Sequence, residues 1–125
     1  MAKIYSIVVG AVLLIVGVVG FTTKTMMGME FHLSHNIIHL VSGLVLLYAG
    51  LASGGRNARS VALLFGVVYA AVAVAGFAGW SGTIEPYLHL ALTRNYNLIH
   101  TVVGALGVIA GFATKSANAA RAAAA

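Results

Sequence analysis

Four stretches of this chain are apolar for roughly the thickness of a bilayer, residues 4–21, 36–51, 61–80 and 98–113. Each approaches the ~20 residues a helix needs to cross a hydrocarbon core. None alternates with period two, and backbone groups in lipid must be satisfied internally, so the pattern predicts four transmembrane helices. The second and fourth are slightly short, which places their first turns at the interface or against a neighbour. The polar punctuation differs between connections. "ASGGRNARS" is a short glycine-rich turn that makes the second and third spans antiparallel neighbours. "TMMGMEFHLS" and "GWSGTIEPYLHLALTR" mix Met, Phe, Tyr, Trp and Leu with one Glu each, a composition expected to lie on the membrane surface. Trp80 and Tyr87 are the expected interfacial anchors, and Pro86 suits the first turn of a short surface helix.

The pattern repeats. "HNIIHLVSG" (35–43) returns as "YNLIHTVVG" (96–104), matching Asn36 with Asn97, His39 with His100 and Gly43 with Gly104 at a separation of 61. The "GF" at 20–21 returns at 76–77 with a separation of 56, so the second outer loop is five residues longer. The expected architecture is all-α: an integral membrane four-helix bundle of two tandem hairpins, 4–52 and 61–113. A turn at 53–60 joins them, and a basic, alanine-rich tail follows over 114–125. Each half has an even number of spans, so both insert the same way, as a parallel repeat.

Composition sharpens this picture. With 61% hydrophobic and 7% charged residues, the chain has too little polar surface for a water-soluble globule. A nucleic-acid role for its +5 charge is therefore not expected. The absence of cysteine excludes disulfides, thiolate metal sites, iron–sulfur clusters and covalent c-type haem attachment. The first span is not expected to be a cleaved leader, because "GFTTKTMMG" offers no small-x-small cleavage site and the segment has a counterpart later in the chain. With both ends on one side, Lys3, Arg56, Arg59, Lys115 and Arg121 gather there, leaving Lys24 and Arg94 opposite. That asymmetry predicts cytoplasmic termini. Glu30, Glu85 and all five histidines then fall at or near the outer face.

His39 and His100 are the candidate site residues, with Asn36, Asn97, Gly43 and Gly104. In a bundle with the second and fourth helices diagonal, the two histidines sit at equal depth, each with a glycine one turn below that clears space beneath it. Two readings remain open. The imidazoles could be axial ligands of haem b or a chlorophyll-type pigment, with a role in electron transfer or light harvesting, or they could hydrogen-bond to Asn97 and Asn36 or to loop carbonyls and pin the hairpins together. The asparagines would serve equally well as helix N-caps. His32, His35 and His39 fall at i, i+3 and i+7, so His32 and His35 are candidate outer-face metal ligands, or a pH sensor, with Glu30 or Glu85 nearby. Stripes such as Ala62, Gly66, Ala70 and Gly107, Gly111 read as close helix packing. Nucleophile–base pairs, paired carboxylates, a phosphate loop and H-E-x-x-H are all missing from the sequence.

The doubled Asn-x-x-His at the head of a span, with "GF" near the end of the span before it, resembles the bacterial membrane proteins grouped as Domain of Unknown Function 4383. The resemblance covers about residues 4 to 113 and rests mainly on "HNIIHLVSGL" and "YNLIHTVVGAL". It implies a small four-helix protein of the bacterial inner membrane and implies no activity. The expected role is a non-enzymatic subunit, scaffold or assembly partner, in contact with the lipid bilayer and with other membrane subunits or itself.

Overall fold

The computed structural model describes residues 1–115 and 117–125, and it is helical apart from one small hairpin. In chain order come α1 (Ala2–Thr22), β1 (Thr25–Met26), β2 (Met29–Glu30), α2 (Leu33–Leu51), α3 (Ala58–Phe77), α4 (Ser81–Leu88), α5 (Arg94–Ala113) and α6 (Ala117–Ala124). A single 3-10 turn, Ala52–Gly55, joins α2 to α3. Helices α1, α2, α3 and α5 are long and apolar enough to cross a membrane. The first packs along the second and the third along α5, with far thinner contact between the two pairs. Large apolar side chains such as Ile4, Ile15, Leu44, Leu64, Val74 and Phe112 face outward, as lipid contact requires.

Glycine explains why the helices pair in this way. A Cβ on Gly43 would lie 2.8 Å from the Gly10 carbonyl oxygen and 2.9 Å from the Leu14 amide nitrogen. One on Gly104 would lie 2.6 Å from the Ala70 amide nitrogen and 3.0 Å from the Gly66 carbonyl oxygen. The backbones therefore touch, which is how helices associate in lipid, where apolar burial alone supplies no drive. Further along the same seams, Gly50 packs on Ile7 and Gly111 on Leu63. Gly43 and Gly104 do not clear space beneath the histidines, as their position in the sequence suggested. That space holds the backbones of α1 and α3. The glycine and alanine stripes likewise pack within the second hairpin, except that Gly107 also meets the Tyr5 hydroxyl of α1.

A second device recurs at the other end of each seam. The Asn36 carboxamide occupies the place a Cβ on Gly20 would take, and the Asn97 carboxamide does the same at Gly76. Each Oδ1 is buried without a conventional hydrogen-bond donor, so it faces a glycine Cα–H, a weak but real acceptor geometry when it recurs. This links the two sequence signatures physically, since the "GF" glycine receives the asparagine of Asn-x-x-His. Neither asparagine is an N-cap. His32 caps α2 and Thr93 caps α5, and both asparagines lie within the helices.

Helices α2 and α5 begin three to four residues before their apolar runs because the polar first turns point into the bundle: His35, Asn36, Tyr96 and Asn97 are all buried. Helix α3 stops at Phe77, ahead of Gly79, which takes φ 81°. Pro86 sits late in α4 rather than in its first turn. There it removes one backbone donor from a helix that ends at once on His89, in the left-handed region. The first outer loop forms a hairpin whose turn residues Met27 and Gly28 both have positive φ, 54° and 72°, the pattern of a two-residue type I′ connection.

Side chains stitch the two outer loops together. The Ser34 hydroxyl donates to the Leu88 carbonyl at 2.8 Å, Asn95 Nδ2 to the Met27 carbonyl at 3.0 Å and the Tyr96 hydroxyl to the Glu30 carbonyl at 2.6 Å. At the opposite end, the Ala2 amide donates to Thr114 Oγ1 and Arg59 Nε to the Thr114 carbonyl, both at 2.9 Å. The N-terminus, the start of α3 and the end of α5 therefore share one end of the bundle, where Lys3 packs beside Gly55. The tail beyond α5 continues as α6; residue 116 of the expected tail lies outside the described residues.

Candidate functional site

The first turns of α2 and α5 carry the polar side chains to one place. On α2, His35 and His39 are one turn apart on the same face, with ring centroids 4.2 Å apart. On α5, Tyr96 and His100 are one turn apart and stack at 6.1 Å. The backbones of α2 and α5 stay apart, and the rings fill the gap, with His35 4.9 Å from Tyr96 and 6.4 Å from His100. Tyr69 of α3 closes the group, 5.3 Å from His100. His35, His39 and His100 are each only 7% exposed. Nδ1 of His39 and Nδ1 of His100 are buried with no hydrogen-bond partner, and an unpaired polar atom in this setting is costly.

Two apolar clefts flank the cluster. One, about 200 Å³, lies between α2 and α3 beneath Leu90–Leu92. The other, about 350 Å³, lies between α1 and α5 beneath the hairpin methionines. His39, Tyr69, Tyr96 and His100 line both, so the ring cluster is a wall between them. Among the described residues no Lys, Arg, Asp or Glu lines either cleft. The wall is neutral, aromatic and able to hydrogen-bond.

His39 and His100 come to one cluster, as their equal depth suggested, but His35 is in it with them. Its ring lies 4.2 Å from that of His39 and 6.4 Å from that of His100. Asn36 and Asn97 do not reach the histidines. Asn97 Nδ2 donates to the Leu92 carbonyl at 3.3 Å, and Asn36 lies against Gly20.

His32 and His35 part company as metal ligands. His35 is in the core, whereas His32 sits on the rim with its Nε2 3.4 Å from a Glu30 carboxylate oxygen and its ring 6.5 Å from His89. Among the described residues no group of three or more His, Cys, Asp or Glu is arranged to hold a metal ion.

Residues 3–113 match the family described as Domain of unknown function (DUF4383). The chain belongs to the DUF4383 family. No curated protein and no solved structure matches it.

In this DUF4383 protein, sequence reasoning passed over His35, Tyr96 and Tyr69 as members of the cluster. A signal existed for the first two. They occupy equivalent places in the repeat, one turn ahead of His39 and His100, and both are flat rings. Tyr69 had none, because its counterpart in the first half is the apolar Leu13.

Proposed function

We propose that this DUF4383 protein is a non-catalytic subunit or assembly partner in a bacterial cell membrane, built by duplication of one helical hairpin, with both termini cytoplasmic. Duplication is supported by the matched seams. Gly10 with Gly43 and Gly20 with Asn36 recur as Gly66 with Gly104 and Gly76 with Asn97, at the separations of 56 and 61 read from the sequence. Orientation is supported by the basic residues at the end that carries Ala2, Arg59 and Thr114. Single cysteines test it cleanly in a chain that has none. Tyr87→Cys, at an 82% exposed position, is expected to react with a membrane-impermeant maleimide in intact cells, and Arg56→Cys only after permeabilisation. The reverse pattern would invert the topology.

The observation that carries the assembly reading is an apolar groove between α1 and α5. Its outer part is the 350 Å³ cleft; its inner part, about 380 Å³, is lined by Met1, Ile4, Leu106 and Ile109 among others, and the two share Val8 and Val9. The hairpins are zipped internally by glycine yet meet each other thinly, leaving a groove that runs along the bundle and suits the transmembrane helix of a partner or of a second copy. A photo-reactive residue at Ile109, activated in native membranes, is expected to give one discrete protein adduct. A mass of two chains identifies a homo-oligomer, and a larger fixed mass identifies a separate subunit. Adducts to lipid alone would sink the reading.

A further inference from the structure

The end of the bundle opposite the ring cluster is organised around Thr114. Its Oγ1 accepts from the Ala2 amide and its carbonyl from Arg59 Nε, both at 2.9 Å. Lys3 follows Ala2, and its side-chain stem lies against Gly55, 3.1 Å from where a Cβ there would stand. Arg56 follows Gly55, and Lys115 follows Thr114. These contacts gather four cations from α1, the turn before α3, α3 itself and the end of α5. Lys3, Arg56 and Lys115 are exposed and Arg59 is half-buried. The two side-chain carboxylates of the chain, Glu30 and Glu85, belong to the outer loops at the other end. The one ion pair among the described residues is His32 with Glu30, so no side-chain carboxylate answers the four cations. Topology asks only that such charges lie on one side of the membrane. It does not ask that they be joined through Thr114 and Gly55.

Two features describe the anion that would answer them. Arg59 spends its Nε on the Thr114 carbonyl, which holds the guanidinium in place and leaves its Nη pair for another acceptor; a planar fork of this kind matches phosphate oxygens. The surface beside the cations is hydrocarbon-like, because Leu51 lies one turn before Gly55, Phe112 one turn before Lys115, and both are exposed. A soluble anion would use only the polar half of this surface. We propose that Lys3, Arg56, Arg59 and Lys115 bind the phosphate of an anionic phospholipid whose acyl chains lie in the bilayer against Leu51 and Phe112. None of the four cations lines the α1–α5 groove, and the site serves whichever leaflet this end of the bundle meets.

The test is native mass spectrometry of the full chain, delipidated in detergent and titrated with phosphatidylglycerol or with phosphatidylcholine of the same acyl chains. Saturable retention of one phosphatidylglycerol per chain is expected, at least tenfold tighter than phosphatidylcholine, and this comparison needs no variant. Lys3→Gln combined with Arg56→Gln should weaken it at least tenfold, since one cation beside an anionic head group is worth roughly fivefold in affinity. Lys24→Gln combined with Arg94→Gln removes the same charge from exposed positions at the other end and should leave retention unchanged. Glycerol 3-phosphate, a head group without chains, should not displace the lipid at equal concentration. Equal retention of the two lipids overturns the proposal. So does equal weakening by both double variants, which would mean attraction to net charge alone, full binding by a helical and monodisperse Lys3→Gln/Arg56→Gln chain, or displacement by glycerol 3-phosphate, which would mean a site for soluble anions.

Discussion

Gly104→Ala is expected to destabilise the protein by about 1–3 kcal/mol, although a single methyl group in a helix ordinarily helps. By intrinsic propensity alone, alanine is favoured over glycine inside a helix by up to about 1 kcal/mol. Here the new Cβ would stand 2.6 Å from the Ala70 amide nitrogen and 3.0 Å from the Gly66 carbonyl oxygen. These are backbone atoms of α3 and cannot rotate aside as a side chain does, so relief requires α3 and α5 to separate along their seam. That separation loses close packing over several turns, and in lipid there is little else to hold the pair. Gly104→Leu should prevent the second hairpin from forming. Gly82→Ala supplies the control, because nothing lies within 4 Å of its Cβ position in α4 and the change should be neutral or slightly stabilising. Thermal unfolding of the detergent-solubilised variants, with monomer recovery after heating, measures both. Equal stability of Gly104→Ala and wild type would mean that the seam is looser than described.

The same contacts show how far the sequence could be read. Four spans and their approximate limits were legible because apolar length is a property of each segment alone. The hairpin pairing was legible in part, from the repeated motifs and the small-residue stripes, whereas the short "ASGGRNARS" turn, expected to make the second and third spans neighbours, joins helices that meet only thinly. Where the glycines pointed was not legible. Gly43 and Gly104 share a helical face with the histidines, and only the approach of α1 and α3 decides whether that face is open or filled. Asn36 was misread for a related reason. An asparagine near the start of an apolar run looks like a cap, but the helix begins three residues earlier, at Leu33, because its polar turn is buried. Hydropathy cannot distinguish a polar residue facing water from one facing a neighbouring helix. The repeat sets His35 against Tyr96. Both positions prove to supply a ring to one cluster, so the repeat preserved shape there while changing chemistry. The glycine and asparagine contacts of the two seams match, whereas the polar centre does not, since Tyr69 aligns with Leu13.

His39→Leu and His100→Leu are expected to raise the stability of the protein slightly, by less than about 1 kcal/mol each. Each wild-type histidine holds a buried nitrogen with no partner, and an unsatisfied polar atom costs roughly 1–3 kcal/mol. Leucine fills a similar volume and removes that cost. Against this stand the ring contacts, His35 with His39 at 4.2 Å and Tyr69 with His100 at 5.3 Å, each worth about 0.5–1.5 kcal/mol. The balance favours leucine narrowly for one substitution and more clearly when neither histidine remains to contact the other's neighbours. The contrary account treats the histidines as glue between hairpins, in which case both substitutions lower stability and the double variant separates the hairpins. The two accounts differ in sign, and thermal unfolding in nanodiscs reads that sign directly. A loss of more than about 1 kcal/mol in either single variant would assign the cluster to structure.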